Sequence, residues 1–138
     1  MVDALEKIKT LLQPNGALIS IQPQDDNLPI SVQVDQTAVY VGEVDVSHNF
    51  PRYQMANGAI EIATESGLYN MQQDQIVDYT VFFDTLAACR TYLAEEWTNA
   101  ILSDAAWERM TALMRGEGKQ KRIFYSEKVR FCCLAPTQ

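Results

Sequence analysis

Histidine occurs once, at His48, cysteine three times and glycine six times in a chain of 138 residues. One histidine excludes a multi-histidine metal centre. Cys89, Cys132 and Cys133 lack zinc spacing. Adjacent residues point to opposite faces of a strand, so Cys132 and Cys133 build no disulfide framework. All three read as reduced, buried thiols. Gly16, Gly42, Gly58, Gly67, Gly116 and Gly118 form no GxGxxG motif, and GEGK at 116–119 precedes a predicted strand instead of a helix. The backbone cradle that a nucleotide phosphate needs is therefore missing.

Positive charge is also scarce. Eleven basic residues face 18 acidic ones, for a net charge of −7. Nucleic-acid binding needs clustered Lys and Arg, and anionic lipid surfaces attract the same residues, so neither is an expected partner. Arg115, Lys119, Lys121 and Arg122 are the one basic cluster, and they read as a solvated loop. No run approaches the ~20 apolar residues of a membrane span. The N-terminal MVDALEKIKT is amphipathic and charged, without an apolar signal core. A cytoplasmic protein is expected.

What is present is an ordinary globular composition, 47% apolar and 21% charged. The length suits one domain over 1–138, burying roughly 68% of its unfolded surface. The order of elements predicts an α/β chain, α+β when it stands alone. A helix over Asp3 to Leu12 carries an apolar stripe at Leu5, Ile8, Leu11 and Leu12, with Asp3 and Glu6 placed as a capping box. Pro14 and Gly16 stop it. Ala17 to Ile21 follows as an apolar strand of the kind covered on both faces. Ile30 to Val34 and Val39 to Val46 alternate as a hairpin around Asp35-Gln36-Thr37, with Gly42 weakening the second strand or marking a bulge.

Ser47 or Asn49 can cap a helix that has Pro51 in its first turn and ends at Gly67. LYNMQQDQ reads as a polar connection, and IVDYTVFF, Ile76 to Phe83, as a strand. Asp84 can cap one helix, and Ser103 or Asp104 a second that ends at Gly116 and Gly118. Arg122 to Ala135 is the last strand. Its second half, VRFCCLA, is apolar enough for a position inside a sheet. Helices packed on a sheet of three or more strands solve the burial problem.

ALEKIKTLLQPNGALISIQP resembles the helix, Pro-x-Gly turn and strand that open the C-terminal half of class I S-adenosylmethionine-dependent methyltransferases. The resemblance implies that Ala17 to Ile21 is the fifth strand of that fold and Ile76 to Phe83 the sixth. Asp84 to Arg115 becomes the helical connection, and Val129 to Ala135 a last strand inserted between the other two. The sheet implied is small and mixed, with an antiparallel last hairpin. Ile30 to Gly67 is then an addition of the type that roofs a substrate pocket. No cofactor residue carries over, because that family's Gly-rich turn is absent here. S-adenosylmethionine enters only if a partner chain supplies the missing half.

Residues with chemical potential are few. Asp45, His48, Arg52 and Tyr53, in VDVSHNFPRY at a strand-to-helix joint, are the best polar constellation for a ligand pocket. The alternative is that Ser47 or Asn49 caps the helix while His48 and Arg52 face solvent. Asp25 and Asp26 follow a strand but lack metal-loop partners. Glu95 and Glu96 point in different directions on a helix. Trp97 and Trp107 read as core or interface anchors. No GxSxG or papain-like context surrounds a nucleophile, so no catalytic residue is assigned.

The expected function is a methyltransferase-like half domain, non-catalytic alone, that binds a small apolar ligand or a protein, or associates with itself as a homodimer. The Ile30 to Val46 hairpin, or a second copy, could cover the open edge of the first strand. The alternatives are one part of a split methyltransferase and an acidic interaction or inhibitor protein.

Overall fold

Ile30, Val32 and Val34 in one segment and Val39, Val41 and Val44 in the next make a hairpin, and the computed structural model shows it. The structure describes residues 1–97 and 99–138. They form α1 (Val2–Leu11), β1 (Leu18–Pro23), β2 (Leu28–Val34), β3 (Thr37–Val44), α2 (Phe50–Glu65), β4 (Tyr69–Phe83), α3 (Leu86–Glu96), α4 (Asp104–Arg115) and β5 (Lys121–Pro136), with a 3-10 turn at Ser47–Asn49. This is a mixed α/β chain with a five-stranded, antiparallel, open sheet. The last strand is internal. β5 pairs with β4, with β2 through Lys121 to Tyr125, and with β1 through Val129 to Leu134.

The chain divides into two compact units: residues 1–25, 49–77 and 128–138, and residues 26–48 and 78–127. In the first unit α1 packs on α2, and α2 on β1. Leu5, Ala59, Ile60, Ala63, Tyr69, Cys132 and Leu134 form its core. The buried Tyr69 hydroxyl donates to the Leu5 carbonyl at 2.9 Å, which ties α1 to β4. Gly67, with φ of 73°, supplies the left-handed residue that ends α2, and the Leu68 amide closes on the Ala63 carbonyl.

In the second unit α4 packs on β2 and β3, and α3 on α4. Ile30, Val32, Val44, Met110, Ile123 and Tyr125 are fully buried there. The pairing Ile30–Gly42 then Ser31–Tyr40 leaves Val41 as the extra residue, so Gly42 does mark a bulge. A side chain at Gly42 would come within 3.0 Å of Ala106 on α4, so helix and strand approach closely there. At the hairpin tip Asp35 takes a φ of 52°, and its carboxylate accepts from the Lys119 and Gln120 amides at 2.9 Å each.

Several expectations need correction. LYNMQQDQ is no connection: it is strand from Tyr69 onward, so β4 runs 15 residues. Gln and Asn have low strand propensity, but pairing with β5 overrides it. β1 is not covered on both faces, since Ile19 and Ile21 are exposed. The hairpin does not cover the edge of β1, because β2 pairs with β5 instead. Thr85, not Asp84, caps α3 by accepting from the Ala88 amide, while Asp84 pairs with Arg122 at 3.0 Å. Met1, not Asp3, is the N-cap residue of α1, and no side chain caps that helix. Asn49 precedes α2 without a side-chain cap, whereas Ser103 caps α4 as expected.

Gly118 has a φ of 132°, and a Cβ there would lie 2.6 Å from the Val34 side chain and 3.2 Å from Lys121. Gly118→Ala therefore combines backbone strain with overpacking, and a loss of about 1–3 kcal/mol is expected in urea unfolding. Gly58→Ala, with open space around the position, is the control and should hold or raise stability.

Candidate functional site

The expected ligand-pocket residues fall in both units. Asp45 and His48 belong to the second, Arg52 and Tyr53 to the first. Asp45 is exposed and accepts from the Ser47 amide at 2.9 Å. Hydrogen bonding from Ser47 holds its carboxyl below the ordinary range, and the His48 charge adds to that. The Asp45 backbone also exchanges two hydrogen bonds with Ile101, at 2.8 and 3.0 Å. His48 and Arg52 are exposed. Tyr53 is half-buried, with its ring centroid 6.5 Å from that of Phe50. Asp25 accepts from the Gln54 amide group at 3.0 Å, an exposed contact that secures the loop after β1. Among the described residues no group of three or more His, Cys, Asp or Glu is placed to hold a metal ion.

Sequence reading missed a charged cluster in the first unit. The Arg130 guanidinium grips Asp74 with two hydrogen bonds, at 2.8 and 2.9 Å, and reaches Glu61 and Asn57 at 3.4 Å each. Cys132 Sγ donates to Asp74 at 3.5 Å. The cluster fastens α2 to β4 and β5. Hydrogen bonding from Arg130 holds the Asp74 carboxyl below its ordinary range, and Asp74 raises Arg130. The partners lie 56 and 69 residues apart, so no local spacing signals them.

The second unit holds an aromatic cluster around the buried Tyr125. Its hydroxyl accepts from Trp97 Nε1 at 3.3 Å and donates to the Tyr92 hydroxyl at 3.4 Å. Phe83 packs against both tyrosine rings. Burial raises the Tyr125 phenol and the Glu127 carboxyl. Arg90 stacks over Trp107 at 4.3 Å. On either side of that stack lie two shallow grooves, of about 530 and 330 Å³. Burial pushes the Cys89 thiol up to about 11, which leaves it protonated and unreactive at neutral pH.

The feature that stands out is apolar surface on strands. Residues directly opposed in a ladder share a face. In the first unit Ile19 lies beside Cys133, Ile21 beside Phe131 and Pro23 beside Val129. Ile19 and Ile21 are 57% and 61% exposed, and the β5 residues are only half-buried. β4 is exposed at every residue from Gln72 to Thr80. The apolar content of β1 was legible in the sequence; which of its faces meets solvent was not. Among known proteins, no family model, curated protein or solved structure matches the chain.

Replacing Arg130 by Met leaves Asp74 and Glu61 without their cation and should cost about 1.5–3 kcal/mol at pH 7. Asp74 has a lowered folded pKa, so its contribution is present above the ordinary value of 3.8 and is lost as pH falls through the lower folded value. The gap between wild type and Arg130→Met in urea unfolding should therefore narrow below that pH. Glu127 has the opposite sign. Its raised pKa makes the charged form unfavourable, so Glu127→Gln should stabilise the chain at pH 7 and lose that advantage below pH 4.5.

Proposed function

We propose that the chain is a binding module that works by self-association or by docking a protein, and that it performs no reaction alone. The observation that carries this reading is the row of Ile19, Ile21, Phe131 and Val129 on one uncovered face of the β1–β5 ladder. Singly exposed apolar residues are normal, but a contiguous row points to a contact surface. No charged residue interrupts that row, although the chain carries a net charge of −7. A partner that docks there meets little desolvation cost from ions. Free thiols at Cys89, Cys132 and Cys133 fit a reducing, cytoplasmic setting.

A second reading keeps the ancestry. β5 lies between β1 and β4, and this order supports the resemblance to the back half of a methyltransferase. The pairing of β2 with the first half of β5 lies outside that plan. On this reading a partner chain supplies the cofactor-binding half. The smaller groove beside Trp107, lined by Leu93, Ala94, Trp97, Ile101 and Leu102, is then the place for a small apolar ligand.

Light scattering across a concentration series tests the first reading, and calorimetry with S-adenosylmethionine tests the second. A dimer at micromolar concentration, with no heat from millimolar S-adenosylmethionine, is expected. Phe131→Glu should weaken a dimer that uses the β1–β5 face. A monomer at every concentration with saturable S-adenosylmethionine binding would sink the self-association reading and put the enzyme first.

A further inference from the structure

We propose that the smaller groove beside Trp107 binds a small organic monoanion, an apolar body carrying one carboxylate, with Arg90 as its counter-ion. The inference rests on that groove as the apolar site named above and adds the charged end; it needs neither a partner chain nor self-association. Every residue it uses belongs to the second unit. The groove measures about 330 Å³, near the lower end of the range for small-ligand clefts. Leu93, Trp97, Ile101, Leu102 and Trp107 give it apolar walls. Those walls are held in place. The Ile101 backbone exchanges hydrogen bonds with that of Asp45 at 2.8 and 3.0 Å, and Trp97 Nε1 donates to the Tyr125 hydroxyl at 3.3 Å. Ile101 nevertheless stands 65% exposed, apolar surface that a ligand in the groove would remove from water.

Charge selects the ligand. Arg90 is the one charged residue that lines this groove. Its guanidinium carbon lies 4.3 Å from the Trp107 ring centroid, and among the described residues it enters no ion pair and no side-chain hydrogen bond. Arg122, by contrast, already holds Asp84 at 3.0 Å. Contact with a ring face orients a guanidinium without spending its N–H donors. Those donors form a planar fork that matches a carboxylate with two bonds at once. The larger groove on the other side of the stack makes no such selection, because Asp104 and Glu108 line it together with Arg90 and Arg115. One unmatched cation beside apolar walls suits one negative charge on an apolar body.

Both tryptophans of the chain line the groove, so their fluorescence reports it directly. The probes are phenylbutyrate and its uncharged analogue phenylbutanamide. Phenylbutyrate should change the emission saturably in the millimolar range. Phenylbutanamide should bind about tenfold more weakly, the loss of one charge-assisted contact. Arg90→Gln should bring the two probes to equal affinity. Ala94 is exposed and lines the smaller groove but not the larger, so Ala94→Glu should weaken phenylbutyrate by a similar factor with an unchanged circular dichroism spectrum. Equal affinity of the wild type for acid and amide overturns Arg90 as the counter-ion and leaves an apolar groove standing. A preference for the acid that Arg90→Gln or Ala94→Glu leaves intact overturns this groove as its site. No saturable change with either probe overturns the site for charged and apolar ligands alike, while calorimetry with S-adenosylmethionine still decides the methyltransferase reading.

Discussion

The backbone of β5 is the constraint on which the rest depends. Sixteen consecutive residues in one strand present amide and carbonyl groups along both edges, and buried groups of that kind must be paired. β4 takes one edge. β1 and β2 divide the other, with β2 ending at Tyr125 and β1 beginning at Val129. Only Ser126, Glu127 and Lys128 fall between those two ladders. That stretch is polar throughout, with Lys128 exposed and Glu127 half-buried. A run such as VRFCCLA is the sequence cost of an internal strand, since both its edges are paired and Cys132 and Leu134 on one of its faces are buried in the core.

Side chains then lock what the ladder arranges. Within the first unit a helix lying on a sheet can slide, because apolar contacts are non-directional. Arg130 removes that freedom by holding Asp74 on β4 and Glu61 on α2 at once. Its side chain is 15% exposed, so water screens the contact less than at a surface pair. Within the second unit Asp35 plays the corresponding part for a loop. Two amides converge on one carboxylate oxygen, and Gly118 gives the room for the chain to pass. Both locks join residues more than 50 positions apart.

That separation explains what was and was not legible. The hairpin, the bulge at Gly42, the Ser103 cap, the stop at Gly67 and the internal last strand all rest on neighbours in sequence or on one segment's composition. They could be read directly. The first half of β4 could not. Gln72, Gln73 and Gln75 lack strand preference, and their conformation comes from hydrogen bonds to a strand more than 50 residues later. The exposure of Ile19 and Ile21 was equally hidden: an apolar run shows that a strand has two apolar faces, not which of them a helix covers. Of the polar residues singled out, Asp45 is engaged with the Ser47 amide and His48 and Arg52 stand in solvent. The cluster around Arg130 left no local trace.

Strand parity accounts for why apolar surface remains at all. In the second unit the buried residues of β5 are odd-numbered, Ile123 and Tyr125. In the first unit they are even-numbered, Cys132 and Leu134. Within each unit the other parity is left partly open: Phe124 and Ser126 in one, Val129, Phe131 and Cys133 in the other. In the second unit Phe124 is met by Phe82 at 5.5 Å, and Arg122 lies over Phe82 at 4.6 Å, so a cation and a ring shield it. In the first unit the open parity faces Ile19 and Ile21, which carry no polar tip to turn toward water. A strand that buries opposite parities in its two halves cannot be made amphipathic by a simple period of two. In its second half the open parity is apolar as well, at Val129, Phe131 and Cys133, and that surface has to be shielded locally or by another protein.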